Sequence, residues 1–126
     1  MKLAIFTDTY LPQVNGVART IARTSAFLHR AGIPHLIFAP EYGPLPPGSG
    51  NVHTFPALDL PLYPECKIAL PSYPQIREIL RSFKPDLVHL VTEFSMGLCG
   101  LKYAREYHLP VVASYTTNFP QYLAYY

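Results

Sequence analysis

Two hydrophobic patterns alternate along this chain, and they predict alternating strands and helices. Short, nearly continuous apolar runs are typical of strands covered on both faces of a parallel sheet. Five such runs predict strands at Lys2–Thr7, His35–Ala39, Val52–Phe55, Leu87–Val91 and Val111–Ser114.

Apolar residues at helical spacing lie between these runs and predict four helices. The first covers Val17–Ala31 and ends at Gly32. A second follows the cap Ser72, carries the stripe Ile76, Ile79, Leu80 and Phe83, and ends at Pro85. A third follows Ser95 with the stripe Leu98, Leu101 and Ala104, and a fourth starts at Phe119 behind the cap Asn118.

Prolines and glycines mark the middle of the chain. Pro40–Asn51 predicts a surface loop, and the proline-punctuated Leu58–Pro71 predicts irregular structure. The order of the remaining elements predicts an α/β fold, Rossmann-like, with a mostly parallel sheet and helices on both faces.

Composition narrows the class of protein. The chain has 126 residues, of which 49% are hydrophobic, so it is long and apolar enough for one domain with a core. A net charge of +2 is too small to indicate a nucleic-acid binder. No signal peptide or bilayer-spanning run is apparent, so we expect a cytoplasmic protein. We expect Cys66 and Cys99 to be reduced, and the five histidines show no metal-ligand spacing.

Ligands of open parallel sheets bind outside the carboxyl ends of the strands. Three loops fit this description: Asp8–Gly16, Thr92–Ser95 and Tyr115–Asn118. Gly16 opens a helix that has three arginines and no acidic residue, and a helix start of this kind favours an anion such as phosphate. The segment matches neither a G-x-G-x-x-G fingerprint nor a P-loop, and a tight turn would equally explain Gly16.

Four segments resemble the N-terminal half of family 4 glycosyltransferases, the retaining enzymes of GT-B fold. They are Phe6–Val17 (FTDTYLPQVNGV), Leu62–Pro71 (LYPECKIALP), Pro85–His89 (PDLVH) and Ser114–Leu123 (SYTTNFPQYL). The branch they look most like transfers mannose or glucose to lipid or glycolipid acceptors. Each motif is moderately specific, and their shared order strengthens the resemblance.

The resemblance implies that residues 1–126 form the acceptor-side domain of a two-domain enzyme. The donor would be a GDP- or UDP-linked hexose, and the acceptor a lipid or lipid-linked sugar at the inner membrane surface. The chain ends at Tyr126 inside a predicted helix, so we expect the donor domain to follow it. In the family the glycine matching Gly16 offers its amide to the donor diphosphate, and no metal cofactor is needed.

The resemblance also suggests site residues. Asn15 and Gly16 are expected to bind the donor phosphates, and the acceptor is expected to meet Tyr10, Lys67, Glu93, Thr116, Thr117, Asn118 and Tyr122. Thr116 stands where the family commonly has histidine, and a hydroxyl cannot titrate near neutral pH, so the catalytic residue is unknown. Helix capping would equally explain Thr117 and Asn118, and a solvated side chain would explain Lys67 and Glu93.

Two other functions stay open. A nucleotide-sugar epimerase can share the GT-B architecture, although Asn118–Leu123 argues against it. Thr116 would also fit a degenerate, non-catalytic binding protein. His89 lies within an apolar strand and is expected to be a core residue. No Ser/His/Asp constellation is evident.

Overall fold

The computed structural model of this chain describes residues 1–8, 16–41, 43–45, 50–60, 63–92 and 95–113. This part of the chain contains strands β1 (Leu3–Phe6), β2 (His35–Pro40), β3 (Val52–Phe55), β4 (Ala57–Leu60), β5 (Tyr63–Ala69), β6 (Leu87–Leu90) and β7 (Val111–Ala113). Its helices are α1 (Gly16–Arg30), α2 (Tyr73–Phe83) and α3 (Ser95–Glu106). No helix within these ranges is long and apolar enough to cross a bilayer.

Five strands form one parallel sheet in the order β3-β2-β1-β6-β7. Its residues alternate between two apolar clusters, because successive side chains of a strand point to opposite faces. On one face Ile5 and Ile37 pack with Ile21 and Leu28 of α1. The second cluster contains Phe6, Phe38, Val88 and Leu90 of the sheet, Ile76 and Leu80 of α2, and Met96 and Tyr103 of α3. The predicted Rossmann-like fold with helices on both faces is therefore confirmed.

Helix α2 begins and ends as its sequence predicts. The Ser72 hydroxyl oxygen accepts a hydrogen bond from the Gln75 amide at 3.4 Å, which is the expected N-cap. Ile76 and Leu80 are fully buried, and the other two stripe residues pack partly buried against the same cluster. Lys84 closes the helix in a left-handed conformation, with φ of 56°, and its amide donates to the Leu80 carbonyl at 2.8 Å.

Helix α3 buries Ala104, as predicted, and Leu101 packs partly buried against the same core, but Leu98 does not lie on the buried side. Leu98 was expected to face the core, yet 61% of its surface is exposed. The buried residues are Met96, Gly97, Gly100, Tyr103 and Ala104. A Cβ atom on Gly100 would lie 2.6 Å from the Phe6 ring and 2.7 Å from Leu90, so the glycine side of the helix is the one that can lie close against the sheet.

The prolines of segment 58–71 had suggested irregular structure, and this prediction is wrong for the described residues of the segment. β4 and β5 pair as an antiparallel ribbon that is separate from the main sheet. Asp59 opposes Lys67, and Leu60 opposes Tyr63, so the register of the ribbon shifts between Asp59 and Leu60. Proline is tolerated at such irregularities and on edge strands, which explains how Pro64 lies within β5.

Candidate functional site

The strand order reverses between β1 and β6. The chain leaves β1 through α1 toward β2 on one side, and it leaves β6 through α3 toward β7 on the other. The two helices pack on opposite faces, so the carboxyl ends of β1 and β6 flank a crevice. In open α/β sheets this reversal point is where ligands bind.

A buried hydrogen-bond network connects the two sides of this crevice. Asp8 follows β1 and Thr92 follows β6, and they are only 4% and 2% exposed. The Asp8 amide donates to the Thr92 hydroxyl oxygen at 2.7 Å, and that hydroxyl donates to Asp8 Oδ2 at 2.5 Å. The carboxylate thus ties the end of β1 to the turn after β6.

The same carboxylate caps helix α3. Asp8 Oδ1 accepts hydrogen bonds from the Met96 amide at 2.7 Å and from the Ser95 hydroxyl at 3.3 Å. A negative charge at a helix N-terminus offsets the positive end of the helix dipole. The predicted cap, Ser95, is therefore the first residue of the helix and contributes only its hydroxyl to Asp8. The positive end of the α3 dipole therefore already has an anionic partner within the protein, the Asp8 carboxylate.

Gly97 allows α3 to approach the turn after β6. A Cβ atom at this position would lie 1.9 Å from the Thr92 carbonyl oxygen, a distance that no side chain can occupy. Only glycine permits this approach, so the turn that carries Thr92 is fixed by the first turn of α3 as well as by Asp8.

The N-terminus of α1 lies near the same edge and differs from that of α3. It begins at Gly16, and its first turn contains no acidic residue. Gly16 is exposed, and none of the described residues comes within 4 Å of the position a Cβ would take. The φ of Gly16 does not lie in the left-handed region. Neither backbone strain nor a close contact with a described residue therefore requires glycine here.

Most of the predicted site residues cannot be placed. Tyr10, Asn15, Glu93, Thr116, Thr117, Asn118 and Tyr122 lie outside the described residues. Lys67 lies in β5, which is not a strand of the sheet that forms the crevice, and the structure describes only its backbone. β7 ends at Ala113, two strands from β1, at the same edge of the sheet as Asp8. Two strand spacings amount to about 10 Å.

Asp8 and Thr92 had no predicted role, although both belong to candidate loops of the sequence. The available signal was the position of a polar residue directly after each of two buried strands. It could not show that these residues bond to each other, because they are separated by 84 positions.

Two of the histidines, His35 and His89, lie in strands of the main sheet. His35 is buried at the start of β2, at the sheet edge opposite the crevice, where its Nε2 lies 2.7 Å from the Ser25 hydroxyl and its Nδ1 lies 3.0 Å from the Ile33 carbonyl. Burial lowers the pKa of His35 and of His89, which lies half-buried in β6. Within the described ranges, no three His, Cys, Asp or Glu side chains are grouped so that they could hold a metal ion.

Comparison with known proteins now adds a family to this geometry. The chain is 33% identical to a GDP-mannose-dependent alpha-mannosyltransferase of Mycobacterium tuberculosis, over all of its own length and 35% of the relative's. It is 31% identical to an alpha-monoglucosyldiacylglycerol synthase of Streptococcus pneumoniae, over 99% of its own length and 29% of the relative's.

The chain thus spans about a third of the length of the curated relatives it matches. No solved structure matches it significantly. The sequence profile described as Glycosyltransferase Family 4 matches residues 14–126, which is most of the chain. The protein therefore belongs to glycosyltransferase family 4.

Proposed function

We propose that this chain is the N-terminal, acceptor-side domain of a retaining glycosyltransferase that moves a hexose from a nucleotide sugar to a lipid or glycolipid. The observation that supports this proposal most directly is the crevice at the strand-order reversal, with the exposed start of α1 near its edge. Membership of glycosyltransferase family 4 supports glycosyl transfer as the reaction that such a crevice would serve.

The donor diphosphate is proposed to bind at the start of α1. Of the two helix N-termini near the crevice, that of α3 is neutralised by the Asp8 carboxylate. The start of α1 has no acid in its first turn, and Gly16 leaves room for a phosphate to approach the backbone. Asn15 and Gly16 are the residues proposed to meet the diphosphate.

The acceptor is proposed to lie against the loops that follow β1, β6 and β7. Tyr10, Glu93, Thr116, Thr117, Asn118 and Tyr122 are the side chains proposed to contact it, together with Lys67. The names of the relatives support GDP-mannose as a donor and a diacylglycerol lipid as an acceptor class. Because a lipid acceptor lies in a bilayer, we propose that the enzyme works at a membrane surface, on the cytoplasmic side.

Catalysis by such a protein would rest on positioning and charge stabilisation rather than on a metal. Two domains closing on donor and acceptor would hold the reacting atoms in line and exclude water. Helix ends and basic side chains would stabilise the negative charge that develops on the leaving diphosphate. We expect activity to survive treatment with EDTA.

The substitution Gly16→Ala in the full-length protein tests the proposed phosphate contact. Because no described residue is close to the new methyl group, we expect unchanged or slightly higher thermal stability. The methyl group would meet the diphosphate, so we expect the KM for the donor to rise at least about tenfold, the effect of losing roughly 1.4 kcal/mol of binding. The readout is transfer of labelled hexose from GDP-mannose and UDP-glucose to diacylglycerol and glycosyl-diacylglycerol acceptors.

Two controls give this experiment its meaning. Omitting the acceptor separates transfer from epimerisation, since an epimerase would convert the nucleotide sugar alone. The variant Gly32→Ala changes a glycine at the far end of the same helix, so it is expected to affect stability and leave the KM unchanged. Wild-type donor kinetics in Gly16→Ala would rule out the phosphate contact, and absence of transfer with every donor and acceptor would contradict the proposed function.

A further inference from the structure

The crevice loop between β6 and α3 is very short. Only Glu93 and Phe94 separate Thr92 from Ser95, the first residue of α3. These two residues lie outside the described part of the chain, but the residues on both sides of them are described. The backbone has two soft dihedral angles per residue, so fixed flanking residues leave a segment of this length few alternative paths. Whatever holds the flanking residues therefore also restricts Glu93.

One carboxylate holds both flanks of this segment. On the β6 side, Asp8 Oδ2 accepts a hydrogen bond from the Thr92 hydroxyl at 2.5 Å. On the α3 side, Asp8 Oδ1 accepts from the Met96 amide at 2.7 Å and from the Ser95 hydroxyl at 3.3 Å. Because the two oxygens belong to one rigid carboxylate group, the two ends of the segment are held at a set separation.

The base of the segment is also buried and closely packed. Asp8, Thr92 and Met96 are all buried. A Cβ atom on Gly97 would lie 1.9 Å from the Thr92 carbonyl oxygen, so the first turn of α3 lies directly against the turn that carries Thr92. A shift of either flank would break buried hydrogen bonds or close contacts, which makes this the more rigid side of the crevice base.

The start of α1 is held in place by other contacts. α1 begins at Gly16, and its buried residues Ile21 and Leu28 pack on the face of the sheet opposite to that of α3. Loss of the hydrogen bonds to Asp8 would therefore displace the loop between β6 and α3 more than it would displace the start of α1. The two sides of the crevice can be perturbed separately.

We propose that Asp8 and Thr92 are positioning residues for the acceptor, which hold in place the segment that contains Glu93 and do not themselves touch a substrate. The positioning role rests on the proposed function, in which Glu93 contacts the acceptor and Gly16 meets the donor diphosphate. A carboxylate can accept hydrogen bonds from the hydroxyl groups of a sugar or of glycerol. Its position relative to the donor decides whether the acceptor hydroxyl is aligned for reaction.

Thr92→Val in the full-length protein tests the positioning role. Valine has nearly the shape of threonine but no hydroxyl, so both hydrogen bonds between Thr92 and Asp8 are lost. We expect kcat/KM for the acceptor to fall about tenfold or more, because misplacing a reacting group by about 1 Å can cost on the order of a hundredfold. The KM for the donor is expected to stay within a few-fold of wild type. Thr92→Ser keeps the hydroxyl and should retain most of the acceptor kcat/KM.

These constants come from transfer of labelled hexose. The donors are GDP-mannose and UDP-glucose, and the acceptors are detergent-dispersed diacylglycerol and glycosyl-diacylglycerol. An equal rise in KM for donor and acceptor in Thr92→Val would overturn the positioning role. A Thr92→Ser variant as impaired as Thr92→Val would overturn it too, because the hydroxyl would then not be the group that matters.

A double-mutant cycle with Glu93→Ala tests whether Thr92 acts through Glu93. Residues that act through one another have effects that do not add. We expect Thr92→Val to lower the acceptor kcat/KM strongly in the wild-type background and only slightly in the Glu93→Ala background. Effects that multiply in the double variant, or a Glu93→Ala variant with wild-type acceptor kinetics, would overturn the positioning role.

Ile37→Val is the matched control for loss of stability. Ile37 is fully buried in β2, which does not flank the crevice, and loss of one methyl group from a core lowers stability without touching the Asp8 network. We expect kinetics within a few-fold of wild type. A fall in acceptor kcat/KM like that of Thr92→Val would show that lowered stability is sufficient and would overturn the positioning role.

Ser95→Ala keeps the test decisive if Thr92→Val does not fold, as circular dichroism would show. It removes only the bond of 3.3 Å to Asp8, from a residue that is partly exposed. We expect the acceptor kcat/KM to fall a few-fold with an unchanged donor KM, and wild-type acceptor kinetics would contradict the positioning role.

The outcome for the positioning role is distinguishable from that for the proposed function. Transfer by the wild-type protein reports on the proposed function, and its absence with every donor and acceptor would end both. Transfer by the wild type, combined with independent effects of Thr92→Val and Glu93→Ala, would leave the proposed function standing and overturn the positioning role alone.

Discussion

Asp8 shows how one side chain can hold a crevice in shape. Its carboxylate accepts hydrogen bonds from Thr92, Ser95 and the Met96 amide, and it thereby joins the end of β1, the turn after β6 and the start of α3. These segments meet at the point where family members are proposed to bind substrates. The geometry of the crevice therefore depends on a charge that the solvent does not reach.

Replacing Asp8 by asparagine is expected to destabilise the fold. An amide can accept from only one of its two atoms, so the Thr92 hydroxyl would lose its acceptor and α3 its negative cap. Because buried hydrogen bonds to a charged group contribute about 1.5–3 kcal/mol, we expect the unfolding free energy to fall by roughly that amount. Urea unfolding followed by circular dichroism measures it.

Asp86→Asn supplies the matched control for this substitution. Asp86 accepts a hydrogen bond from the Lys2 amide at 2.8 Å, but it is exposed and lies at the opposite edge of the sheet. Water can replace that bond, so we expect a loss under about 1 kcal/mol. Similar losses in the two variants would show that burial of the Asp8 network adds no stability.

His35 predicts how stability varies with pH. Burial lowers its pKa below 6.5, so the folded protein favours the neutral ring that bonds to Ser25 and to the Ile33 carbonyl. The unfolded chain binds a proton more readily, so this stability is complete above pH 6.5 and is lost as pH falls through the folded-state pKa. Urea unfolding at pH 7.5, 6.5 and 5.5 should show little change in the first step and most of the loss between pH 6.5 and 5.5.

His35→Gln is expected to flatten this decline, because glutamine cannot titrate and its carbonyl can accept from Ser25. His108→Asn is the control, since His108 is exposed and asparagine tolerates its left-handed φ of 55°. An unchanged pH dependence in His35→Gln would assign the effect to His53 and His89, whose pKa values burial also lowers.

At the scale of elements, the sequence predicted most of the sheet, because its strands alternate faithfully with the helices that cover them. The boundaries of β2, β3 and α2 follow from apolar runs, a capping serine and a helix-ending proline. The prediction of irregular structure at Leu58–Pro71 was wrong, because part of this segment forms the ribbon β4–β5. Prolines usually indicate irregular structure, and the register shift that accommodates Pro64 has no sequence signature.

The prediction that Leu98 of α3 faces the core was wrong for a related reason. Leucines at helical spacing normally mark the buried side, but here Gly97 and Gly100 face the turn after β6 and the sheet. A stripe of small residues gives no hydrophobic signal, although it decides how close two backbones can come. The site itself was predicted only as a set of loops, because long-range partners such as Asp8 and Thr92 leave no local pattern.

Gly97→Ala tests the close approach of α3. A methyl group would collide with the Thr92 carbonyl oxygen at 1.9 Å, and the hydroxyl of the same residue is held by Asp8. Since overpacking commonly costs about 1–3 kcal/mol and this contact involves backbone, we expect at least about 3 kcal/mol of destabilisation. Gly16→Ala makes the same chemical change in open space and is expected to leave stability unchanged or improved, so equal effects in both would contradict the glycine argument.

The whole molecule joins one open crevice edge to one cationic helix. The parallel sheet brings the ends of β1, β6 and β7 to a single edge, and α1 carries three arginines and no acidic residue. β7 is exposed along its length, with 38% of Val111 and 48% of Val112 accessible. In the proposed function, this edge would hold the acceptor and the start of α1 would hold the donor phosphates.

The 126-residue chain on its own is therefore expected to fold without catalysing transfer. Its core gives a cooperative unfolding transition, but the proposed donor site consists of a helix start without the pocket for the base. We expect no transfer of labelled hexose and, by calorimetry, affinity for GDP or UDP at least about a hundredfold weaker than that of the full-length protein, or about 2.7 kcal/mol. Robust turnover by the chain alone would overturn the two-domain proposal, whereas activity restored by adding a separately purified donor half would locate the missing contacts in that half.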